Sequence, residues 1–127
     1  MADAARILVV EDDQALRDLY VLILKDAGFA VDEAADGEAA LAAMQKGGYD
    51  LVLLDIVLPK MDGIRILEHL KATPSDSPNK KIVVLSNLGH DEIISNAMTL
   101  GAVGYLIKSD YTPDQIVLRV QEFLNGK

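Results

Sequence analysis

Four carboxylates, an amine, an amide and two hydroxyls stand just after short apolar runs of this chain. Glu11, Asp12 and Asp13 follow Ile7–Val10, Asp55 follows Leu51–Leu54, Ser86 and Asn87 follow Ile82–Leu85, and Lys108 and Ser109 follow Val103–Ile107. Carboxylates gathered at one rim repel each other. At about 4 Å and an effective dielectric near 20, each pair costs on the order of 4 kcal/mol, large beside the roughly 5–15 kcal/mol that stabilises a domain. Lys108 and a hard divalent cation are the candidates to offset this, and an all-oxygen donor set suits magnesium. A carboxylate held beside such an ion and a lysine can attack a phosphoryl group to give an aspartyl phosphate. A hydroxyl such as that of Ser86 can donate to one phosphoryl oxygen.

The runs before these residues are rich in Val, Ile and Leu and bounded by polar residues, the pattern of strands buried on both faces of a parallel sheet. A weaker run, Phe29–Ala35, includes Asp32 and Glu33 and reads as a half-exposed edge strand. Helical segments alternate with the strands. Asp13 is placed to cap the first, with Leu16, Leu19, Tyr20, Ile23 and Ala27 inward and Gly28 just past its end. Asp36 caps the second, which runs through Met44 to Gly47 and Gly48. The third spans about Gly63 to Ala72 with Ile64, Leu67 and Leu70 inward, and the fourth runs from Asp91 to Leu100. Thr112-Pro113-Asp114-Gln115 is a capping box with Pro at the first helical position, opening a fifth helix that buries Ile116, Val120, Phe123 and Leu124. Strict βα alternation predicts an α/β fold with right-handed crossovers: a doubly wound, five-stranded parallel sheet covered by five helices. Its ligand crevice lies at the carboxyl ends of the strands. The longest loop, Thr73–Lys81, reads as an exposed connector.

The chain has 127 residues, 12 Lys and Arg against 20 Asp and Glu, and a formal charge of −8. A single domain over residues 1–127 is expected at this length, with a core large enough to need no metal or disulfide staple. The absence of cysteine excludes a disulfide framework, a thiolate metal site and a thiol nucleophile. No apolar run approaches a membrane span, and Met1-Ala2-Asp3 followed by Arg6 lacks a signal-peptide core, so a cytoplasmic protein is expected. The acidic balance, with Lys80-Lys81 as the one adjacent basic pair, argues against direct nucleic acid binding.

Taken jointly, Ile7-Leu8-Val9-Val10-Glu11-Asp12-Asp13, Leu53-Leu54-Asp55-Ile56-Val57-Leu58-Pro59, Met61-Asp62-Gly63, Ser86, Gly101-Ala102 and Gly104-Tyr105-Leu106-Ile107-Lys108 form a specific pattern. It resembles a response-regulator receiver domain of two-component signalling, over essentially the whole length. The resemblance implies a flavodoxin-like sheet of order 2-1-3-4-5. It implies that Asp55 is the phosphoacceptor and that magnesium is bound by Asp12, Asp55 and the Val57 backbone carbonyl, with Glu11 acting through water. Lys108 would pair with phosphorylated Asp55, and Ser86 would move toward the phosphoryl group and let Tyr105 turn inward. The implied partners are a sensor histidine kinase or histidine phosphotransfer protein as donor and a downstream protein as target, with the receiver a monomer or weak dimer. Two residues depart from the family pattern. Ser109 follows Lys108 where the family usually carries Pro, and Asn87 follows Ser86 where it usually carries a small residue, so Asn87 either narrows access to the phosphoryl group or hydrogen-bonds to it.

Plainer roles compete for several residues. Asp13 is read as a helix cap, His69 and His90 as surface residues without ligand spacing, and Met61 and Met98 as packing residues. For Tyr105 a half-buried ring with its hydroxyl at the surface stands beside the two-position switch. A mononucleotide binder shares the strand pattern, but Glu11-Asp12-Asp13 would repel a phosphate after the first strand. A phosphatase with an Asp nucleophile often has a second carboxylate two residues on, where this chain has Val57. The remaining alternative is a receiver-like interaction module that works without phosphorylation. No output segment follows the fifth helix, which leaves a stand-alone regulator or a piece of a longer protein.

Overall fold

The computed structural model describes residues 4–126; the leader reading at Met1–Asp3, and Lys127, lie outside the described residues. Among them, strands and helices alternate as β1 (Arg6–Val10), α1 (Gln14–Asp26), β2 (Ala30–Ala34), α2 (Gly37–Lys46), β3 (Leu51–Leu54), α3 (Gly63–Ala72), β4 (Ile82–Ser86), α4 (Asp91–Thr99), β5 (Gly104–Ile107) and α5 (Pro113–Asn125). All strands join one parallel sheet in the order β2-β1-β3-β4-β5. The expected α/β, doubly wound, flavodoxin-like topology is the observed one.

The apolar runs are continuous because successive side chains serve opposite faces. Leu8, Val10, Val52, Leu54 and Val84 pack into a core with Ala40, Met44, Ile66, Leu67 and Ala97 from α2, α3 and α4. Ile7, Val9, Leu51, Leu53, Val83, Leu85 and Leu106 pack into a second core with Tyr20, Val21, Leu24, Ile116 and Val120 from α1 and α5. Strand β2 alone is largely exposed, as its acidic pair requires of an edge.

Among the described residues, four of the five helix starts follow side-chain capping, while α4 begins after His90 with no side-chain cap. Asp13, Asp36 and Asp62 accept the backbone N–H groups of Leu16, Ala39 and Arg65, and Thr112 with Gln115 closes the capping box of α5. The face of α1 is the expected one at Leu16, Tyr20 and Ile23, which pack into the second core, but not at Leu19 and Ala27, which are exposed. Val21 and Leu24 are buried while Leu19 is 38% exposed, because residues 19–24 are all apolar and their period fixes no phase. Met98, expected to pack, is 44% exposed, and Ala97 takes the inward place on α4.

The 73–81 connector is exposed along most of its length but pinned to the turn before β3. Asn79 donates to the Met44 carbonyl at 3.0 Å and accepts the Tyr49 N–H at 3.3 Å, and the Ser77 carbonyl accepts the Gly48 N–H at 2.7 Å. Among the described residues no helix is long and apolar enough to cross a membrane.

Candidate functional site

In a parallel sheet the carboxyl ends share one edge, and the register decides which residues meet there. Val10 pairs with Leu54 and Leu54 with Val84, while Ser86 pairs with Ile107. Glu11 and Asp55 therefore sit side by side one residue beyond the last pair of the two central strands. The ladder continues through them, since Glu11 N–H donates to the Ala34 carbonyl and Asp55 N–H to that of Val10.

Glu11 and Asp55 are 2% and 4% exposed, which no free carboxylate tolerates cheaply. Lys108 relieves both. Its Nζ lies 2.5 Å from Glu11 Oε1 and 2.5 Å from Asp55 Oδ2. Burial alone would lower the Lys108 pKa, but the hydrogen bonds to Asp55 and Glu11 outweigh it and hold the ammonium above its ordinary range. The other oxygens are also held: Glu11 Oε2 accepts the Asp13 N–H at 3.1 Å, and Asp55 Oδ1 accepts the Val57 N–H at 3.2 Å.

Asp12 is exposed, yet one carboxylate oxygen from each of Glu11, Asp12 and Asp55 lies within 4.8 Å of the others. Three carboxylates against one ammonium leave a formal charge of −2. Hard oxygen donors with that residual charge fit a divalent cation such as Mg2+.

The β3–α3 loop closes the other side. Ile56 carbonyl accepts the Gly63 N–H at 2.8 Å, and a Cβ at Gly63 would stand 2.5 Å from the Asp55 carbonyl. The Asp62-Gly63 pair thus couples a helix cap to the close approach of α3 onto Asp55.

Ser86 is 1% exposed, and its hydroxyl accepts the Leu88 N–H at 3.2 Å. Tyr105 is half-buried and donates its hydroxyl to the Leu88 carbonyl at 2.5 Å. Burial, then the Asp55 charge, pushes the Tyr105 hydroxyl above its ordinary value of 10.0. Asn87 Oδ1 accepts the Ser109 N–H at 3.1 Å, across the gap between the β4 and β5 ends. Lys108 opens a single 3-10 turn, Lys108–Asp110, where sequence periodicity gave no element.

Asp13 caps α1, while His69 and His90 are exposed. Arg17 also belongs to this site, although no apolar run or motif points to it. Its guanidinium donates to the Glu11 carbonyl at 2.9 Å and to Glu33 Oε1 at 2.9 Å, tying the acidic turn to the edge strand. A basic residue one turn past a cap at a strand end was the available signal.

The profile of the response regulator receiver domain family matches residues 7–121. This chain belongs to that family. Receiver domains are signalling phosphoacceptors that usually bind Mg2+ and interact with histidine kinases or phosphotransfer proteins and with downstream effectors. Among curated proteins, this receiver is 34% identical over 116 residues to the transcriptional regulatory protein DltR of Streptococcus agalactiae, covering 91% of this chain and 50% of that protein. It spans about half the length, or less, of the curated relatives it matches. A CheY-like response regulator receiver domain protein from Methanospirillum hungatei superposes with a TM-score of 0.83 at 30% identity, covering 96% of this chain and 94% of that one. The CheX-CheY-BeF3-Mg complex from Borrelia burgdorferi superposes with a TM-score of 0.82 at 27% identity, covering 97% and 90%.

Proposed function

We propose that this receiver takes a phosphoryl group from the phosphohistidine of a sensor kinase or histidine phosphotransfer protein onto Asp55. The observation that carries the reading is the Lys108 ammonium shared by buried Asp55 and Glu11 beside exposed Asp12. A carboxylate oxygen of Asp55 forms the new O–P bond while the donor N–P bond breaks, its electron pair staying on the imidazole nitrogen. Lys108 moves with the charge, from neutralising the Asp55 carboxylate to neutralising the phosphoryl oxygens.

Asp12, Asp55 and the Val57 carbonyl are the proposed magnesium ligands, with Glu11 acting through water. A divalent cation held there supplies charge neutralisation on the transferring oxygens. The complex of the Borrelia relative with BeF3 and Mg supports this reading by analogy. Ser86 would donate its hydroxyl to a phosphoryl oxygen. Drawing the Ser86–Leu88 segment toward the site removes the carbonyl that holds Tyr105, which frees that ring to turn inward and remodel the surface seen by a downstream protein.

The test is intact-protein mass spectrometry after incubation with acetyl phosphate and magnesium, comparing the parent with Asp55→Asn. One phosphoryl adduct on the parent and none on the variant is the expected result. Equal labelling of both overturns the assignment, and absence of label on the parent with every donor favours the phosphorylation-independent interaction module.

A further inference from the structure

We propose that Asn87 is a positioning residue for phosphoryl uptake, acting through a clasp between its side-chain oxygen and the Ser109 amide. The proposal rests on the reading of Asp55 as phosphoacceptor. The β4–β5 ladder ends at Ser86 and Ile107. The next residues carry the hydroxyl loop on one side and the lysine turn on the other. Asn87 Oδ1 spans this gap to the Ser109 N–H at 3.1 Å, so a side chain stands in for one more rung of the sheet.

The two residues it joins are the immediate chain neighbours of Ser86 and Lys108. Lys108 reaches from the β5 end across to Asp55 and Glu11, and its aim depends on where the turn at its own backbone sits. Ser86 accepts from Leu88 N–H and Leu88 carbonyl from Tyr105, so the hydroxyl loop is held to itself and to β5. Asn87 adds the bond that holds that loop to the lysine turn. Both groups that must meet the phosphoryl oxygens then keep a fixed separation. Asn87 and Ser109 are exposed, so water competes for this bond and its effect on overall stability is small.

The test compares the full chain with Asn87→Ala, Ser109→Ala, Ser109→Pro and the Asn87→Ala/Ser109→Pro pair. In Asn87→Ala the Ser109 amide should exchange faster and uptake from acetyl phosphate should slow about fivefold, the worth of one modest hydrogen bond. Half-saturating magnesium and Tm should stay unchanged. Ser109→Ala keeps the N–H and should label like the parent. Ser109→Pro has no N–H to hold, so adding Asn87→Ala there should change nothing further. Equal uptake by parent and Asn87→Ala overturns the positioning role and leaves Asp55 as phosphoacceptor. An undiminished Asn87→Ala effect in the Ser109→Pro background overturns the clasp as its route. Failure of the parent itself to label overturns both readings.

Discussion

The Lys108 ammonium stands 2.5 Å from Asp55 Oδ2, a carboxylate almost wholly buried at the end of a central strand. The same ammonium reaches Glu11 at 2.5 Å, so one cation serves two buried anions. Breaking a buried pair by removing one partner costs more than the pair itself contributes, because the other charge stays desolvated. Lys108→Ala should therefore lower stability by about 3 kcal/mol at pH 7, read by urea unfolding. The sign with pH follows from the raised Lys108 pKa. The contribution is complete below the ordinary lysine value of 10.5 and is lost as pH rises through the higher folded value. Parent and variant curves should converge there, and equal stability at pH 7 would remove Lys108 from the account of the fold.

Lys108 leaves two negative charges uncompensated at the Glu11, Asp12 and Asp55 cluster, which sets up a magnesium dependence of stability. Magnesium at a hundred times Kd should stabilise the protein by about 2.7 kcal/mol, several degrees in Tm, reversed by chelator. In Asp12→Ala the metal-free protein should melt at the same temperature or slightly higher, since repulsion is relieved, and the magnesium response should vanish. A full response in that variant places the ion elsewhere.

The contrast between these residues and Arg17 marks what the sequence makes legible. Glu11, Asp55, Ser86 and Lys108 can be placed because each ends an apolar run in a parallel sheet, and parallel strand ends share an edge. Their burial order cannot. That Asp12 faces solvent while Glu11 turns inward depends on the half-turn between β1 and α1. The inward face of α1 is legible only in part because six consecutive apolar residues from Leu19 to Leu24 carry no phase. The Arg17–Glu33 and Asn87–Ser109 bonds join polar side chains to groups far along the chain, which leaves no periodicity at all.

Gly37 is a position where packing leaves no room for a side chain. Its N–H donates to the Pro59 carbonyl at 3.0 Å, and an added Cβ would stand 1.8 Å from the Met61 carbonyl oxygen. The obstacle is backbone, so α2 or the β3–α3 loop must move. Gly37→Ala should destabilise by about 2 kcal/mol in urea unfolding, against the few tenths gained when alanine fits a helix. Because that loop continues from Val57, half-saturating magnesium should rise as well. Unchanged stability and magnesium response would show that the loop yields freely.

At the opposite end of the sheet, Tyr49 makes the fold sensitive to alkali. Its hydroxyl donates to Asp32 Oδ2 at 2.7 Å, its ring lies under the Arg6 guanidinium at 4.6 Å, and it is 6% exposed. Burial first, and then the Asp32 carboxylate that accepts its hydrogen bond, pushes the phenol up to about 12 from 10.0. The folded state thus favours the protonated phenol. Its contribution is complete below pH 10 and is lost as pH rises toward 12. At about 1.4 kcal/mol per unit, the loss is roughly 2–3 kcal/mol. Asp32→Asn removes the nearby charge but keeps an oxygen acceptor, so the phenol should ionise earlier and the alkaline loss of stability between those pH values should flatten. Phenolate absorbance against a Tyr49→Phe blank isolates this residue from Tyr20, Tyr105 and Tyr111, while urea unfolding at each pH gives the stability. Ionisation of Tyr49 at its ordinary value in the parent would show that neither burial nor Asp32 governs it.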